Sequence, residues 1–410
     1  MTSILAISEI FWPEGGGAER ATYLILKFLA QQGFKITVVT GTGSPAIIPD
    51  IKYHVTRYLQ SSNRLTSWTL ARLLVTSRVF INLLKEHDVL YIPLAAYPLI
   101  PIAKKAGLRV IVHLHNYMPV RYSGIKYFFE PDVVGPIEEL RLAVFHEFHA
   151  QKSLLRTLLS PLSFMYYALS KGWLTSADRI ICVSKRQAEI VSKSFPQLAN
   201  KIEVIYNPLP AELMNAEPRK NFSDVPTFLY CGGDNYIKGF YILLQVLKEL
   251  GKQGIMTKFI LINSYKYKSL KALNRLIEKY ENLKIIVMGR VKQQEVINLH
   301  KQVWALAFPS ICEEPLPYAI VEASLLGTLP IASKIGGVRE ILQGTPAEKY
   351  IFDPGDIKEV IEKVKAIVTN EPDNFMREGM ILRATVLKFF RESNDKSLKK
   401  LIKVFSYDYQ

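Results

Sequence analysis

Two acids, Glu314 and Glu322, stand with seven residues between them in the stretch PSICEEPLPYAIVEASLL, Pro309 to Leu326. They cannot share one regular element. Pro315 and Pro317 bar a helix from running through Glu314, because proline lacks the N–H and drives the residue before it out of the α region. Glu314 is therefore on a loop. Pro317 suits the first position of a helix that runs to Leu326 and stops at Gly327. Glu322 lies inside that helix, among apolar residues nearly all round, which predicts burial. A buried carboxylate needs a partner: a base such as Lys334 or Arg339, or the polar groups of a ligand. The first amides of the helix, at Tyr318 and Ala319, point at whatever sits beside Glu314, and such amides attract phosphate.

Three further places offer chemistry. PEGGGAER, Pro13 to Arg20, follows an apolar run and precedes a helical pattern from Ala18 to Gln31. Its glycines, Gly16 and Gly17 among them, could let the backbone approach a phosphate, although a plain strand-to-helix turn explains a glycine run as well. CGGDNYIKG places Lys238 before a helix beginning near Gly239, where a lysine is either solvated or a phosphate ligand. RVIVHLH, Arg109 to His115, ends in two histidines that point to one face. His115 lies at the carboxyl end of that strand, where parallel sheets meet their ligands. His113 sits deeper and reads as a hydrogen-bonded core histidine.

Parallel strands must hold these residues. The first half alternates β-branched runs with helical segments: Ile4 to Ser8, Lys35 to Thr40, His54 to Leu59, Val89 to Leu94, Arg109 to His115, Arg179 to Ser184 and Lys201 to Tyr206. The second half repeats the pattern with Thr227 to Gly232, Lys258 to Asn263, Lys284 to Gly289, Trp304 to Ser310 and Leu329 to Lys334. A chain of 410 residues is comfortable for two domains. The proline-bearing stretch 207–226 reads as the linker between a domain over 1–206 and one over 227–374. The tail, 375–410, is helical and basic. Arg64 to His87 is an amphipathic helical segment, suited either to covering a sheet or to lying on an anionic membrane.

Composition narrows the function classes. Three cysteines stand far apart with no metal-ligand spacing, and the seven histidines form no supported ligand set, so no metal is expected. The opening MTSILAIS runs into a strand and lacks the layout of a signal peptide, and the uncharged run Val89 to Ala103 is too short and proline-rich to span a bilayer. A cytoplasmic protein is expected. The net charge of +15 calls for an acidic partner: a phosphate-bearing substrate, an anionic membrane surface or nucleic acid. Nucleic acid is not expected, because the charge is dispersed without a basic stripe interleaved with aromatics.

The pattern of an apolar strand, Pro-Ser, Glu, seven residues, then Glu-Ala in a small-residue helix resembles the donor site of retaining glycosyltransferases of family 4, with the GT-B fold. The resemblance implies an α/β chain of two Rossmann-like domains facing a cleft, with the last helix crossing back to the first domain. It implies that Glu314 faces the donor sugar, that Glu322 holds the ribose hydroxyls, and that His115 helps organise the acceptor. The loop Gly16, Gly17, Ala18, Glu19 is similar to the family's Gly-Gly-x-Glu. Gly232, Lys238 and Gly239 match a Gly-Arg, four residues, Lys-Gly motif that holds the donor diphosphate, but Gly233 stands in place of the arginine. Arg290 is the candidate to compensate, and Gly336 and Gly337 offer further backbone contact with the donor.

The implied reaction moves a sugar from a nucleoside-diphosphate sugar to a hydroxyl of a glycan or lipid-linked acceptor, with retention, no metal and no cofactor beyond that co-substrate. The protein is expected in the cytoplasm, in peripheral contact with the inner face of an anionic membrane. Residues 116–172, the least interpretable part, are expected to carry acceptor-binding surface. Two alternatives remain: another GT-B enzyme such as a phosphorylase or sugar-nucleotide epimerase, and a non-catalytic scaffold binding anionic surfaces, in which Gly233 marks a decayed site.

Overall fold

The computed structural model describes residues 2–60, 64–118, 120–218 and 221–406. The chain forms two compact units. The first comprises Met1–Lys126, Pro131–Leu209 and Glu392–Gln410; the second comprises Tyr127–Glu130 and Pro210–Arg391.

The first unit is built on β1 (Ser3–Ser8), β2 (Lys35–Thr40), β3 (Ile51–Val55), β4 (Val89–Ile92), β5 (Arg109–Leu114), β6 (Arg179–Cys182) and β7 (Ile202–Val204). All pairings are parallel, in the order β3-β2-β1-β4-β5-β6-β7. The β4 run VLYI is buried throughout and most of the β1 and β5 runs are too, as expected where helices cover both faces of a sheet. The order reverses between β1 and β4. Loops leaving neighbouring strands there turn to opposite faces, which opens a crevice beyond their carboxyl ends.

The second unit repeats this plan with β8 (Thr227–Tyr230), β9 (Thr257–Leu261), β10 (Leu283–Val287), β11 (Ala305–Phe308), β12 (Leu329–Ser333) and β13 (Ile351–Phe352). Its order is β10-β9-β8-β11-β12-β13, also parallel, and the reversal falls between β8 and β11. The two parallel sheets with their helices make the α/β, two-domain arrangement that the strand pattern predicts.

Three local readings change. The third strand runs Ile51–Val55, not His54 to Leu59. The Thr56 hydroxyl accepts the Tyr58 N–H at 3.3 Å and starts a single 3-10 turn, Arg57–Leu59, which ends the strand. The segment from Arg64 to His87 is two helices, Arg64–Leu73 and Arg78–Glu86, and it covers the sheet. Trp68 is buried there and donates its indole N–H to the Ala95 carbonyl at 2.7 Å; the side chains of Arg64 and Leu65 lie outside the described residues. The stretch 207–226 holds a short helix, Ala211–Met214, and residues 219–220 lie outside the described ones.

The last helix, Pro372–Phe405, is 34 residues long. Its final turns complete the first unit, where Leu401, Val404 and Phe405 are buried with Ile4, Tyr91 and Ile111. The Phe405 ring meets Tyr91 edge-on, with centroids 5.1 Å apart. Among the described residues no helix is long and apolar enough to cross a membrane. Truncating a fully buried phenylalanine costs about 3–5 kcal/mol. We therefore expect Phe405→Ala to lower the urea midpoint by that amount of stability; a change under about 1 kcal/mol would mean that the tail is not part of this core.

Candidate active site

In the second unit the loops that follow β8 and β11 leave the sheet on either side of its reversal, and they meet. Lys238, in the 3-10 turn Tyr236–Lys238, donates to Glu314 Oε1 at 2.8 Å. Ser310 Oγ donates to the same oxygen, also at 2.8 Å. Burial by itself would lower the Lys238 pKa, and the Glu314 carboxylate more than reverses that, so the net shift is upward. Two residues predicted from distant motifs are thus in direct contact.

Glycine makes this meeting possible. Gly239 has φ +76°, and a Cβ there would collide with the Pro309 carbonyl oxygen. Gly336, at φ +48°, and Gly337 would collide in the same way with the carbonyls of Glu314 and Pro315. The Gly336 N–H donates to the Glu313 carboxylate and the Gly337 N–H to the Glu314 carbonyl, the latter at 3.0 Å. This corrects the expectation that Gly336 and Gly337 offer their backbone to a donor: their amides hold the acid loop in place. Tyr127 forms an isolated antiparallel bridge with Cys312, and Phe128 donates to Ile311 at 3.1 Å, bracing the other side of that loop.

Gly232 lies beneath the lysine, where a Cβ would crowd the Tyr230 hydroxyl and approach Lys238 Cβ to 2.8 Å. Gly233 has φ +59°, and a Cβ would lie 2.9 Å from the Ser264 carbonyl. The missing arginine therefore stands at a left-handed position that excludes a side chain without strain. Arg290 is exposed, just after β10, and three residues before Gln293.

Pro317 is the N-cap and not the first residue of the helix Tyr318–Leu325, so Tyr318 and Ala319 open the first turn, where no preceding helical carbonyl awaits their amides. Glu322 is half-buried rather than fully enclosed, and it accepts from Gln293 Nε2 at 3.1 Å. Lys334 pairs instead with Asp353, at 3.7 Å. Burial, reinforced by the charge of Glu322, pushes the Cys231 thiol at the end of β8 up to about 12. Gln293 is a site residue that the spacing did not reveal, since it reaches Glu322 from a different helix, Gln293–Gln302.

His115, Gly16 and Gly17 belong to the first unit. His115 follows β5 and its ring lies tilted against that of His113, at 37° with centroids 4.1 Å apart, and His113 Nδ1 shares a hydrogen bond with the Tyr91 hydroxyl at 2.8 Å. Burial holds His115 neutral, its pKa near 3, and its Nε2 is buried without a hydrogen-bond partner. The Gly16 N–H donates to Glu19 Oε2 at 2.6 Å, and Gly17 begins the helix Gly17–Gln31. Glu19 thus fills the place an anion would take, forming the half of a capping box in which the N3 carboxylate takes the N-cap amide; Gly16 has no side chain to return the bond.

Beside that turn sits a group the sequence did not single out. Glu9, one residue past β1, is 8% exposed, and its Oε1 has no partner, while Oε2 accepts only a long, 3.4 Å bond from the Ala95 N–H. Burial raises its pKa to about 7. Among the described residues no group of three or more His, Cys, Asp or Glu side chains is placed to hold a metal ion.

The sequence pattern of the family described as Glycosyl transferases group 1 matches residues 215–384, and that of Glycosyltransferase Family 4 matches residues 15–213. The chain is 23% identical over 378 residues to the gpi3 subunit of phosphatidylinositol N-acetylglucosaminyltransferase from Schizosaccharomyces pombe, covering 90% of this chain and 73% of that one. Its fold is similar to Anabaena HepE in complex with UDP-glucose, at 17% identity and TM-score 0.64 over 98% of this chain and 99% of that one. It is also similar to sucrose-phosphate synthase from Thermosynechococcus elongatus, at 14% identity and TM-score 0.71 over 99% of both chains.

The buried acid sets a pH dependence. Because the folded pKa of Glu9 lies above its unfolded value, the fold favours the protonated form, and that contribution is lost as pH rises from 4.5 to about 7. At one pKa unit per 1.36 kcal/mol the difference amounts to roughly 2–4 kcal/mol. Glu9→Gln is expected to gain that much over the wild type in denaturant titrations between pH 5 and 8. Parallel pH profiles for the two proteins would refute it.

Proposed function

Because the chain belongs to the group 1, family 4 glycosyltransferases of the GT-B fold, we propose that it moves a sugar from a nucleoside-diphosphate sugar to an acceptor hydroxyl, with retention at the anomeric carbon and without a metal. The observation that carries this reading is the Lys238–Glu314 contact beyond the carboxyl ends of β8 and β11, with Glu322 on the helix that follows.

Lys238 is 36% exposed and Glu314 14%, so solvent screens part of their ion pair and keeps it exchangeable. A charge-assisted bond to a diphosphate is worth roughly 1.5–3 kcal/mol. An arriving donor can therefore draw Lys238 onto its phosphates and leave Glu314 to orient the sugar. Glu322 takes the ribose hydroxyls in place of Gln293, and the Tyr318 and Ala319 amides add positive potential as charge develops on the leaving group. The acceptor oxygen forms its bond to the anomeric carbon as the bond to the diphosphate oxygen breaks. The acceptor proton passes to that departing oxygen on the same face, so no protein nucleophile is needed. Neutral His115, with its unpartnered Nε2, suits hydrogen bonding to an acceptor hydroxyl.

A glycan or lipid-linked molecule is the proposed acceptor, and the protein would work in the cytoplasm, peripheral to an anionic membrane, in keeping with its net charge of +15. A UDP-sugar is the first donor to try, since HepE binds UDP-glucose. At a hundred times its Kd, UDP should stabilise the protein by ~2.7 kcal/mol in thermal melts. Glu322→Ala is expected to keep the fold and lose about a hundredfold in turnover, the upper end for a charge-assisted contact; near wild-type turnover would sink the assignment. If no nucleoside diphosphate shifts the melt, the scaffold reading takes over. Arg290→Ala tests the compensation for Gly233: donor affinity should fall about tenfold or more, and an unchanged value would leave Arg290 out of the site.

A further inference from the structure

Up to Ser170 the helix Leu154–Thr175 is inside out; in its last turn Leu174 enters the core. It buries Ser160, Tyr167 and Ser170, whereas Leu154, Leu155, Leu158, Leu162, Met165 and Leu169 are between 53% and 69% exposed. Steps of one, three and four residues put these six side chains on one stripe. Scattered apolar residues on a surface need no explanation, but a contiguous stripe over four turns marks an interaction surface. The neighbouring helix Pro136–His149 also exposes apolar side chains, Phe148 and Ile137.

Charge selects the occupant. Between Glu147 and Asp178 the only charged residues are Lys152, Arg156 and Lys171, so the stretch is cationic with no acid in it. Lys152 and Arg156 are exposed beside the leucines. An apolar face flanked by cations matches a surface with negative headgroups above hydrocarbon. A second copy of the chain fits poorly, because a two-fold contact through this face would set like cations against each other. We propose that the outer face of the Leu154–Thr175 helix docks the protein on an anionic lipid bilayer. This rests on the membrane-peripheral reading above and gives it a surface. The same connection between β5 and β6 also carries His115, so one segment would serve both lipid docking and the acceptor side of the reaction.

The test is co-sedimentation of the full chain with phosphatidylcholine vesicles, with and without about a third phosphatidylglycerol. The wild type should partition onto the anionic vesicles, and the triple variant Leu155→Gln, Leu158→Gln, Leu162→Gln should lose at least tenfold of that binding. Its melting temperature and its response to UDP should not change, which separates loss of docking from loss of fold or of the donor site. Arg156→Glu should weaken binding to anionic vesicles, as should added salt. Undiminished binding by the triple variant would overturn the assignment of this face while leaving membrane association standing. No vesicle binding by the wild type would overturn both. A wild-type dimer that the triple variant turns into a monomer, without vesicle binding, would make the face a self-association surface instead.

Discussion

The hydrogen-bonded ion pair between Lys238 and Glu314 depends on a topological constraint: two adjacent parallel strands, β8 and β11, whose following loops turn to opposite faces of the sheet. Side chains can converge there without the backbone filling the space. The surrounding choices serve that convergence. Ser310 takes a second position on the same carboxylate oxygen, Gly239 lets the lysine turn lie against Pro309, and the amides of Gly336 and Gly337 hold the acid loop through the Glu313 carboxylate and the Glu314 carbonyl.

The strength of the pair suits its use. A fully buried pair would need to be dismantled at a cost of several kcal/mol, whereas one with a third of the lysine in solvent can exchange partners readily. Glu322 follows the same logic at the other end of the loop. Gln293, which donates to it, is neutral, so exchanging that bond for one to a hydroxyl separates no charges. Gly233 is a different matter. Its left-handed backbone and the nearby Ser264 carbonyl suit the loop to a residue without a side chain, so any replacement for the family's arginine charge has to come from elsewhere.

The first unit concentrates buried polar groups at the equivalent edge of its own sheet. His115 is kept neutral by burial and Glu9 is kept near neutrality by the same effect. These two groups need no metal or opposing charge to explain their shifts, because desolvation alone disfavours either charged form. Away from that edge, the Leu154–Thr175 helix reverses the usual partition up to Ser170, burying serines and exposing leucines, before Leu174 returns to the core.

The strand runs, the two proline-limited acids and the lysine turn were legible because they depend on local rules: alternation of apolar stretches, the geometry of proline and the glycine that ends a helix. Those rules identified the sheets and placed Glu314 on a loop and Glu322 on the helix after it; the family came from the resemblance of that pattern to a known donor site. They did not reveal Gln293 beside Glu322, the anchoring role of Gly336 and Gly337, or the isolation of Glu9, because each depends on a neighbour brought close only by the packing of separate elements. They also found leucines in 154–175 without telling which face they would occupy. Spacing defines a stripe on a helix, but which stripe is buried depends on what the rest of the unit places against it, and only the tertiary structure decided that.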